Sequence, residues 1–408
     1  MITPEMIAGE EASLFPFFRS LEQVSEKNTE RVLQAFWAHK VSDAHLAYTN
    51  GYGYDDIGRD TLDSIYASVF GGEDALVRHS LINGTHAIAT ALFGVLRPGD
   101  TLLSVTGKPY DTLLGVIGIS GEEGSGTLLD YGIGYAEVPL SDDMDSYLAS
   151  IREAVLRTLP RMVYIQRSRG YALRRTLTIG EIGRIADVIQ SVLPEAIVFV
   201  DNCYGEFCES LEPCHVGVHL IAGSLIKNPG GGLAPCGGYI VGRKDLISLC
   251  AARHTVPGIG KEAGCSLDFN RLAYQGLFMA PHVVQNALKT AIFAAKMAEF
   301  YSFDCSPASD AFRSDIIQTI TFHDEKKLLA FMDGIQAGAP VNSFVTPVPW
   351  DMPGYDSPVV MAAGTFTAGA SIELSADGKC VPPFTAFLQG GLTYESGKIG
   401  ILRAFFSL

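Results

Sequence analysis

The sequence has 408 residues, of which 47% are hydrophobic and 18% are charged. That balance is typical of a globular protein with a large core and excludes a disordered chain. The formal net charge of -15 and the pI near 5.0 make broad attraction to nucleic acid or to anionic membrane unfavourable, so neither is expected as a partner.

The first 44 residues predict a helical arm. Apolar residues recur at helical spacing between Glu22 and His39, but they are too few to form a domain. We expect a large domain over 45–285 and a smaller C-terminal domain over 286–408. The first eleven residues lack the basic and apolar regions of a secretory signal, so a cytoplasmic protein is expected.

A loop over 44–60, rich in glycine, tyrosine and aspartate, precedes a helix predicted from about Asp60 to Phe70. A strand and an alanine-rich helix follow, and that helix opens at Gly84, Thr85 and His86. A helix amino terminus offers free backbone N–H groups to an anion, which makes this a candidate phosphate site. The alternative is an ordinary helix cap by Asn83 or Thr85.

The next strands are predicted at Thr101–Val105, Tyr135–Pro139 and Met162–Gln166. Tyr110 follows the first of them after a glycine and proline turn, where its ring could stack on a flat ligand or simply pack. The third leads into four arginines within nine residues. These are either solvated loop charges or a guanidinium fork for a carboxylate, with Arg169 and Arg167 as the candidates.

Two polar residues follow two further buried strands. Asp201 ends the run Ile197–Val200, and Lys227 ends the apolar run that starts at Val218. Ligands of open α/β sheets bind at the carboxyl ends of strands, so the two groups should converge on one crevice. We expect burial to lower the pKa of Lys227 and make its amine nucleophilic toward a carbonyl.

The alternation of strands and helices predicts a doubly wound α/β domain. The C-terminal domain is expected to be α+β, with strands at Ile316–Phe322 and Gly369–Leu374 and helices at Pro281–Phe300, Glu325–Ala337 and Tyr394–Phe406. The proline-rich stretch 346–353 is expected to border the site entrance. The eight cysteines form no Cys-x-x-Cys pair, so no metal site is predicted.

Several motifs together resemble one family. They are Gly51 to Arg59, Asn83 to Ala89, Gly107 to Leu113, Ile165 to Tyr171, Asp201 to Tyr204 and Ser224 to Lys227. Over residues 45–408 the chain resembles the methionine gamma-lyase-like family, which also carries the labels aluminium-resistance protein and cystathionine beta-lyase. These belong to the fold-type-I enzymes that depend on pyridoxal phosphate, with an aspartate aminotransferase-like fold.

The resemblance implies pyridoxal 5'-phosphate as cofactor and carbon–sulfur lyase activity on a sulfur-containing amino acid. It implies Lys227 as Schiff-base lysine and general base, Asp201 as partner of the pyridine nitrogen, and Tyr110 as the stacked ring. The further cofactor-binding residues that it implies are Gly84, Thr85, His86, Tyr204, Ser224, Tyr54 and Arg59. Arg169, Arg167 and Arg403 are the candidates for the substrate carboxylate.

Some related enzymes have a small hydroxyl residue immediately before the lysine, whereas this chain has Ile226. Others have an arginine after the lysine, where this chain has Pro235. The resemblance therefore implies that the cation for the phosphate comes from a neighbouring subunit, through the loop holding Tyr54 and Arg59. It implies a homodimer or homotetramer. The alternatives are an aminotransferase of the same fold, or a stress-response protein that binds the cofactor without turnover.

Overall fold

The computed structural model describes residues 4–122, 124–351 and 357–408. Its helices are α1 (Pro4–Ala12), α2 (Phe15–Ala38), α3 (Ile57–Phe70), α4 (Gly84–Val95), α5 (Asp111–Ile117), α6 (Met144–Thr158), α7 (Ile179–Val192), α8 (Lys244–His254), α9 (Asn270–Phe300), α10 (Glu325–Ala337) and α11 (Tyr394–Phe406). Its strands are β1 (Asp74–Arg78), β2 (Thr101–Ser104), β3 (Gly134–Glu137), β4 (Met162–Gln166), β5 (Ile197–Asp201), β6 (Leu220–Ser224), β7 (Gly238–Gly242), β8 (Asp304–Ser306), β9 (Gln318–Thr321), β10 (Val359–Ala362), β11 (Ser375–Lys379) and β12 (Thr385–Gln389).

A seven-stranded sheet organises residues 74–242, with the order β1-β7-β6-β5-β4-β2-β3. Strand β7 runs antiparallel to both of its neighbours, and the other six strands are mutually parallel. Residues of β4 to β7 are buried throughout, as expected for strands covered on both faces. The carboxyl ends of β2, β4, β5 and β6 therefore meet at one edge.

Helices cover both faces of this sheet, which confirms the predicted doubly wound α/β fold. On one face, α3, α6, α7 and α9 share a core with alternate strand residues such as Val163 and Val198. On the other face, α4, α5 and α8 pack on the intervening residues, such as Met162 and Ile197. The alternation follows from the two-residue period of strands.

A five-stranded antiparallel sheet, ordered β10-β11-β12-β9-β8, forms the C-terminal part with α10 and α11. The strand predicted at Gly369–Leu374 is wrong: these residues form turns, and β11 begins at Ser375. Of the proline-rich stretch, Trp350 pairs with Val359 beside this sheet, and residues 352 and 353 lie outside the described residues.

The long helix α9 starts eleven residues before the predicted start at Pro281, which lies inside it. Proline removes one helical hydrogen bond. Here the burial of Ala273, Leu277 and Ala280 against the large sheet outweighs that loss. The helix also packs on the C-terminal sheet, so the predicted boundary at 285/286 falls within one continuous element. No helix in the described ranges is long and apolar enough to cross a membrane.

The N-terminal arm is bound to the large domain of its own chain. Helix α2 buries Asn28, whose side-chain amide donates to the carbonyl oxygens of Phe207 and Glu209 at 2.9 and 3.1 Å. Ser25 donates to the carbonyl of Pro281 in α9 at 3.1 Å. The arm therefore braces the turn that follows β5.

Glycines allow the loop after Lys227 to touch α9 backbone to backbone. A Cβ atom at Gly276 would lie 2.3 Å from the carbonyl oxygen of Gly230, and one at Gly231 would lie 2.3 Å from that of Gly276. Gly231 also has a positive φ of 55°. Only glycine fits at both sides of this contact, which explains Gly231 and Gly276.

We predict that Gly276→Ala destabilises the protein by about 1–3 kcal/mol, because the added methyl group must push the glycine loop off α9. Urea denaturation measures the effect. The control is Gly115→Ala in α5, where a Cβ meets nothing within 4 Å and alanine favours the helix. Equal free energies of unfolding for the two variants would contradict the close-contact explanation.

Candidate active site

A cavity of about 460 Å³, including its mouth, opens at the carboxyl edge of the large sheet. Segments that follow β2, β4, β5 and β6 surround it, together with the start of α4, as expected for an α/β sheet. Its lining residues are Thr85, Ile88, Tyr110, Thr112, Leu113, Gln166, Ser168, Gly170, Asp201, Cys203, Tyr204 and Lys227. The structure thus brings five predicted site residues together: Thr85, Tyr110, Asp201, Tyr204 and Lys227.

Asp201 is the last residue of β5 and is 7% exposed. Its Oδ1 accepts from the backbone N–H of Cys203 at 3.1 Å, and its Oδ2 accepts from the hydroxyl of Tyr164 at 3.2 Å. Burial and the nearby Asp201 raise the pKa of Tyr164 well above its usual value, so this hydroxyl stays a donor. The carboxylate is therefore held in one orientation and is suited to pair with a ligand cation.

Lys227 follows β6 and lies over the ring of Tyr204, with its Nζ 3.9 Å from the ring centroid. Burial by itself lowers the pKa of the amine, but the negative charge that Cys203, Tyr204, Asp201 and Glu206 carry when ionised outweighs burial and raises the pKa above that of an ordinary lysine. The expected fall in pKa is therefore wrong for the free amine. An ammonium in this position must lose a proton before it can attack a carbonyl.

The amino terminus of α4 lies against the end of β6. A Cβ atom at Gly84 would meet Cys203 Sγ at 3.1 Å and Ser224 Cβ at 3.2 Å. The hydroxyl of Ser224 is buried and has no hydrogen-bond partner among the described residues. A helix start with a glycine and an unsatisfied hydroxyl beside it has the donors that a phosphate needs.

The side chains of Thr85 and His86 have different hydrogen-bond partners at this helix start. Thr85 Oγ1 bonds to Thr112 Oγ1 at 2.9 Å on the pocket wall. His86 Nδ1 accepts from the backbone N–H of Ile82 at 3.3 Å. The backbone N–H of His86 donates to Oδ1 of the capping residue Asn83 at 2.8 Å. The predicted cap by Asn83 and the predicted anion site are therefore compatible, because the cap uses only the third N–H.

Tyr110 forms one side wall of the cavity. Its backbone N–H donates to Gln166 Oε1 at 2.7 Å, and its ring lies 5.6 Å from that of Tyr171 at an angle of 37°. Tyr171 in turn contacts Phe387 of β12 edge to face. Tyr110 is thus positioned by the large domain on one side and, through Tyr171, by the C-terminal sheet on the other.

The structure does not bring Arg167 and Arg403 to the cavity, which corrects their expected role. Arg167 is fully buried, and its guanidinium bonds to Asn202 at 2.8 Å and Glu209 at 3.1 Å. Because both acceptors lie inside the protein, Arg167 has a structural role. Arg403 lies exposed on α11 and donates to the carbonyl of Ala337 at the end of α10.

Arg169 lies in the chain between the lining residues Ser168 and Gly170. It is 3% exposed, and its Nη1 donates to the carbonyl and hydroxyl of Ser306 at 2.9 and 3.2 Å. Its guanidinium therefore spans the junction of the two sheets. Of the three candidates, only Arg169 keeps a position beside the pocket.

The loop with Tyr54 and Arg59 does not line the cavity of its own chain. Arg59 is 4% exposed and donates to the carbonyls of Gly53 and Gly264, both at 2.7 Å. It therefore supports the loop instead of presenting a free cation. Tyr54 is 58% exposed and stacks on Tyr52, with ring centroids 5.6 Å apart.

The sequence did not predict Gln166 and Thr112, which line the cavity, or Tyr164, which donates to Asp201. Gln166 could have been found, because it is a polar residue at the carboxyl end of a buried strand, just as Asp201 is. Tyr164 and Thr112 carry no such signal. Cys203 lines the cavity as a neutral thiol, because burial and Asp201 raise its pKa well above the usual value.

A mixed seven-stranded sheet with helices on both faces, and a lysine and an aspartate at its carboxyl edge, are typical of the fold-type-I class of pyridoxal-phosphate-dependent enzymes. Solved structures of that class share the fold at low identity. The pyridoxal-5'-phosphate-dependent protein YhfS from Escherichia coli has a TM-score of 0.63 at 16% identity, covering 95% of this chain and 97% of that one. The methionine gamma lyase CalE6 from Micromonospora echinospora has a TM-score of 0.59 at 15% identity, covering 90% and 93%.

The chain belongs to the methionine gamma-lyase family, whose sequence profile matches residues 3–408. The protein YnbB of Bacillus subtilis is 53% identical over 398 residues, which are 98% of this chain and 94% of that protein. A crystal structure from Clostridium novyi, described as a carbon-sulfur lyase involved in aluminum resistance, is 47% identical with a TM-score of 0.94. It covers 98% of this chain and 94% of that one.

Proposed function

We propose that this protein is a pyridoxal-phosphate-dependent carbon–sulfur lyase that acts on a sulfur-containing amino acid by β- or γ-elimination. The observation that carries the proposal is the convergence of Lys227, Asp201 and Tyr110 on one cavity. The family and the description of the Clostridium novyi relative support the reaction class. Elimination of the thiol, followed by hydrolysis of the remaining enamine by one water, would yield a 2-oxo acid and ammonia.

The cavity fits the proposed cofactor at its phosphate end. The unpartnered hydroxyl of Ser224 is 1% exposed, and a buried hydroxyl without a partner is costly unless a ligand satisfies it. Gly84 leaves the space above this hydroxyl free of a side chain. Ser224 and the first N–H groups of α4 would hold the phosphate.

Other residues are suited to hold the ring end of the cofactor. When bound, the cofactor supplies an aldehyde for a lysine and a ring that accepts electrons from the substrate Cα. Lys227 would hold the aldehyde and later remove the Cα proton as a general base. Asp201, held by Tyr164 and Cys203, would keep the ring nitrogen protonated, and Tyr110 would stack on the ring face.

The substrate would enter between the large domain and the C-terminal sheet. Arg169 is the proposed partner of its carboxylate, because it alone of the three candidate arginines lies beside the cavity. The reaction products separate the proposed lyase from an aminotransferase. A lyase releases ammonia from the amino acid alone, whereas an aminotransferase consumes an added 2-oxo acid.

We also propose that the site is completed by a neighbouring subunit. The described cavity lining contains no arginine and no lysine besides Lys227, while a phosphate carries nearly two charges at neutral pH. The exposed Tyr52 and Tyr54 project from a loop that Arg59 holds in place. This loop is suited to reach the cofactor of a second copy in a homodimer or homotetramer.

We predict that borohydride reduction of the cofactor-loaded protein leaves a pyridoxyl group on the peptide that contains Lys227. Lys227→Ala should keep the fold and lose the label, as read by circular dichroism and mass spectrometry. Lys379→Ala is the matched control, because its ammonium contacts Asp111 at 3.2 Å next to the cavity wall. A label on any other lysine would sink the assignment.

Asp201→Asn should still bind the cofactor but lose turnover by roughly 100-fold, because the ring nitrogen loses its anionic partner. Ammonia release from a panel of sulfur amino acids measures the loss. Tyr164→Phe removes only one hydrogen bond to Asp201 and should cost roughly tenfold or less. Full activity of Asp201→Asn would assign the role to another carboxylate.

Two inactive variants should complement each other if the site is shared. Tyr54→Ala removes a residue that the chain would contribute to the site of its neighbour. Lys227→Ala removes a residue of the chain's own site. A mixed dimer then holds one site with both residues intact, so mixing should restore lyase activity. Inactive mixtures, with subunit exchange proved by differently tagged chains, would place Tyr54 outside the neighbour's site.

A further inference from the structure

One face of strand β11 lies against the large domain and has no part in the proposed mechanism. Asp377 and Lys379 are two residues apart on this strand, so their side chains share a face of the C-terminal sheet. The ammonium of Lys379 lies 3.2 Å from the carboxylate of Asp111, the residue that follows Tyr110. The face that carries Asp377 therefore lies beside the segment that carries Tyr110.

Asp377 is a buried carboxyl group that binds Tyr171. It is 9% exposed, and it accepts hydrogen bonds from Gln389 Nε2 at 3.0 Å and from the hydroxyl of Tyr171. Its partner across the sheet is Phe387 of β12, whose ring meets that of Tyr171 edge to face with a centroid distance of 5.3 Å. Two neighbouring side chains of the C-terminal sheet thus hold one tyrosine, by its hydroxyl and by its ring.

The burial of Asp377 makes its hydrogen bonds costly to lose. Burial raises the pKa of this carboxyl group, and the hydrogen bonds from Gln389 and Tyr171 offset part of the rise. A buried acceptor that loses its donor keeps the full cost of desolvation. The bond between Asp377 and the Tyr171 hydroxyl therefore fixes the position of Tyr171.

Tyr110 packs on the stretch of chain that Asp377 holds. Its ring lies 5.6 Å from that of Tyr171. It also lies against the backbone of the preceding residue, because a Cβ atom at Gly170 would be 3.2 Å from Tyr110 Cδ2. A shift of Tyr171 would therefore remove a contact that keeps the Tyr110 ring in place.

We propose that Asp377 is a positioning residue for Tyr110: by binding the hydroxyl of Tyr171, it fixes the ring on which Tyr110 packs. The described lining residues of the cavity all belong to the large domain. Cofactor affinity would nevertheless depend on a residue of the C-terminal sheet. That Tyr110 stacks on a cofactor rests on the proposed function, whereas its contact with Tyr171 does not.

The first test follows the backbone N–H of Tyr110 by hydrogen–deuterium exchange and mass spectrometry in the full-length, cofactor-free protein. This N–H donates to Gln166, so its exchange reports local opening at Tyr110. Tyr171→Phe removes the hydroxyl but keeps the ring, and Asp377→Ala removes the acceptor. Each should speed the exchange about threefold to tenfold, as expected for the loss of one hydrogen bond. The double variant should exchange no faster than the faster single variant, because both changes break the same bond.

Unchanged exchange in Tyr171→Phe would overturn the proposal, and so would two effects that multiply in the double variant. If Asp377→Ala does not fold, Tyr171→Phe decides the test by itself. Tyr394→Phe is the matched control, because the hydroxyl of Tyr394 on α11 donates to the carboxylate of Glu11 at 2.7 Å. It removes the same kind of bond elsewhere and should leave the exchange at Tyr110 unchanged.

The second test measures the dissociation constant of pyridoxal 5'-phosphate by absorbance titration. Tyr171→Phe should raise this constant about threefold when Tyr110 is present, because the stacked ring is less well held. In the Tyr110→Ala background it should change nothing, because its effect passes through Tyr110. An equal increase in both backgrounds would overturn the proposal. A wild-type protein that binds no cofactor but shows the expected exchange would contradict only the proposed function.

Discussion

The charge of Lys227 is the constraint on which the arrangement of this site depends. Burial alone disfavours an ammonium, yet the surrounding groups reverse the balance and raise the pKa of the amine. The groups that raise this pKa are Cys203, Tyr204, Asp201 and Glu206, at the end of β5 and in the turn that follows. All four come from one short segment, so the conformation of residues 201–208 and the pKa of the lysine are linked.

That segment is held in place from several directions. Asn28 of the N-terminal arm binds the carbonyls of Phe207 and Glu209, and Asn228 binds the carbonyl of Glu206. Beneath it, Arg167 fills the space left by Gly205, where a Cβ atom would lie 2.5 Å from Arg167 Cδ. The arginine thus has a clear role in supporting the turn, although it does not reach the cavity.

Much of the fold follows from local pattern. The buried strands β4, β5 and β6 are short apolar runs, and their carboxyl ends carry Gln166, Asp201 and the approach to Lys227, so the main site residues can be predicted from chain order alone. The C-terminal part was harder to predict. The turns at Gly369–Leu374 are as apolar as a strand, and Pro281 looks like a helix start until the packing of α9 is known.

The sequence by itself determined the fold class, the lysine and aspartate pair and the glycine-opened helix of the candidate site, because strand ends in a parallel sheet converge whatever the side chains do next. Only the tertiary structure decided how the charged residues are used. The sequence does not distinguish the roles of three arginines. Arg167 is buried against Glu209, Arg403 caps α10, and Arg59 binds the carbonyl of Gly264. The pKa of Lys227 was likewise decided by neighbours: burial alone would lower it, whereas its fold-specific surroundings raise it.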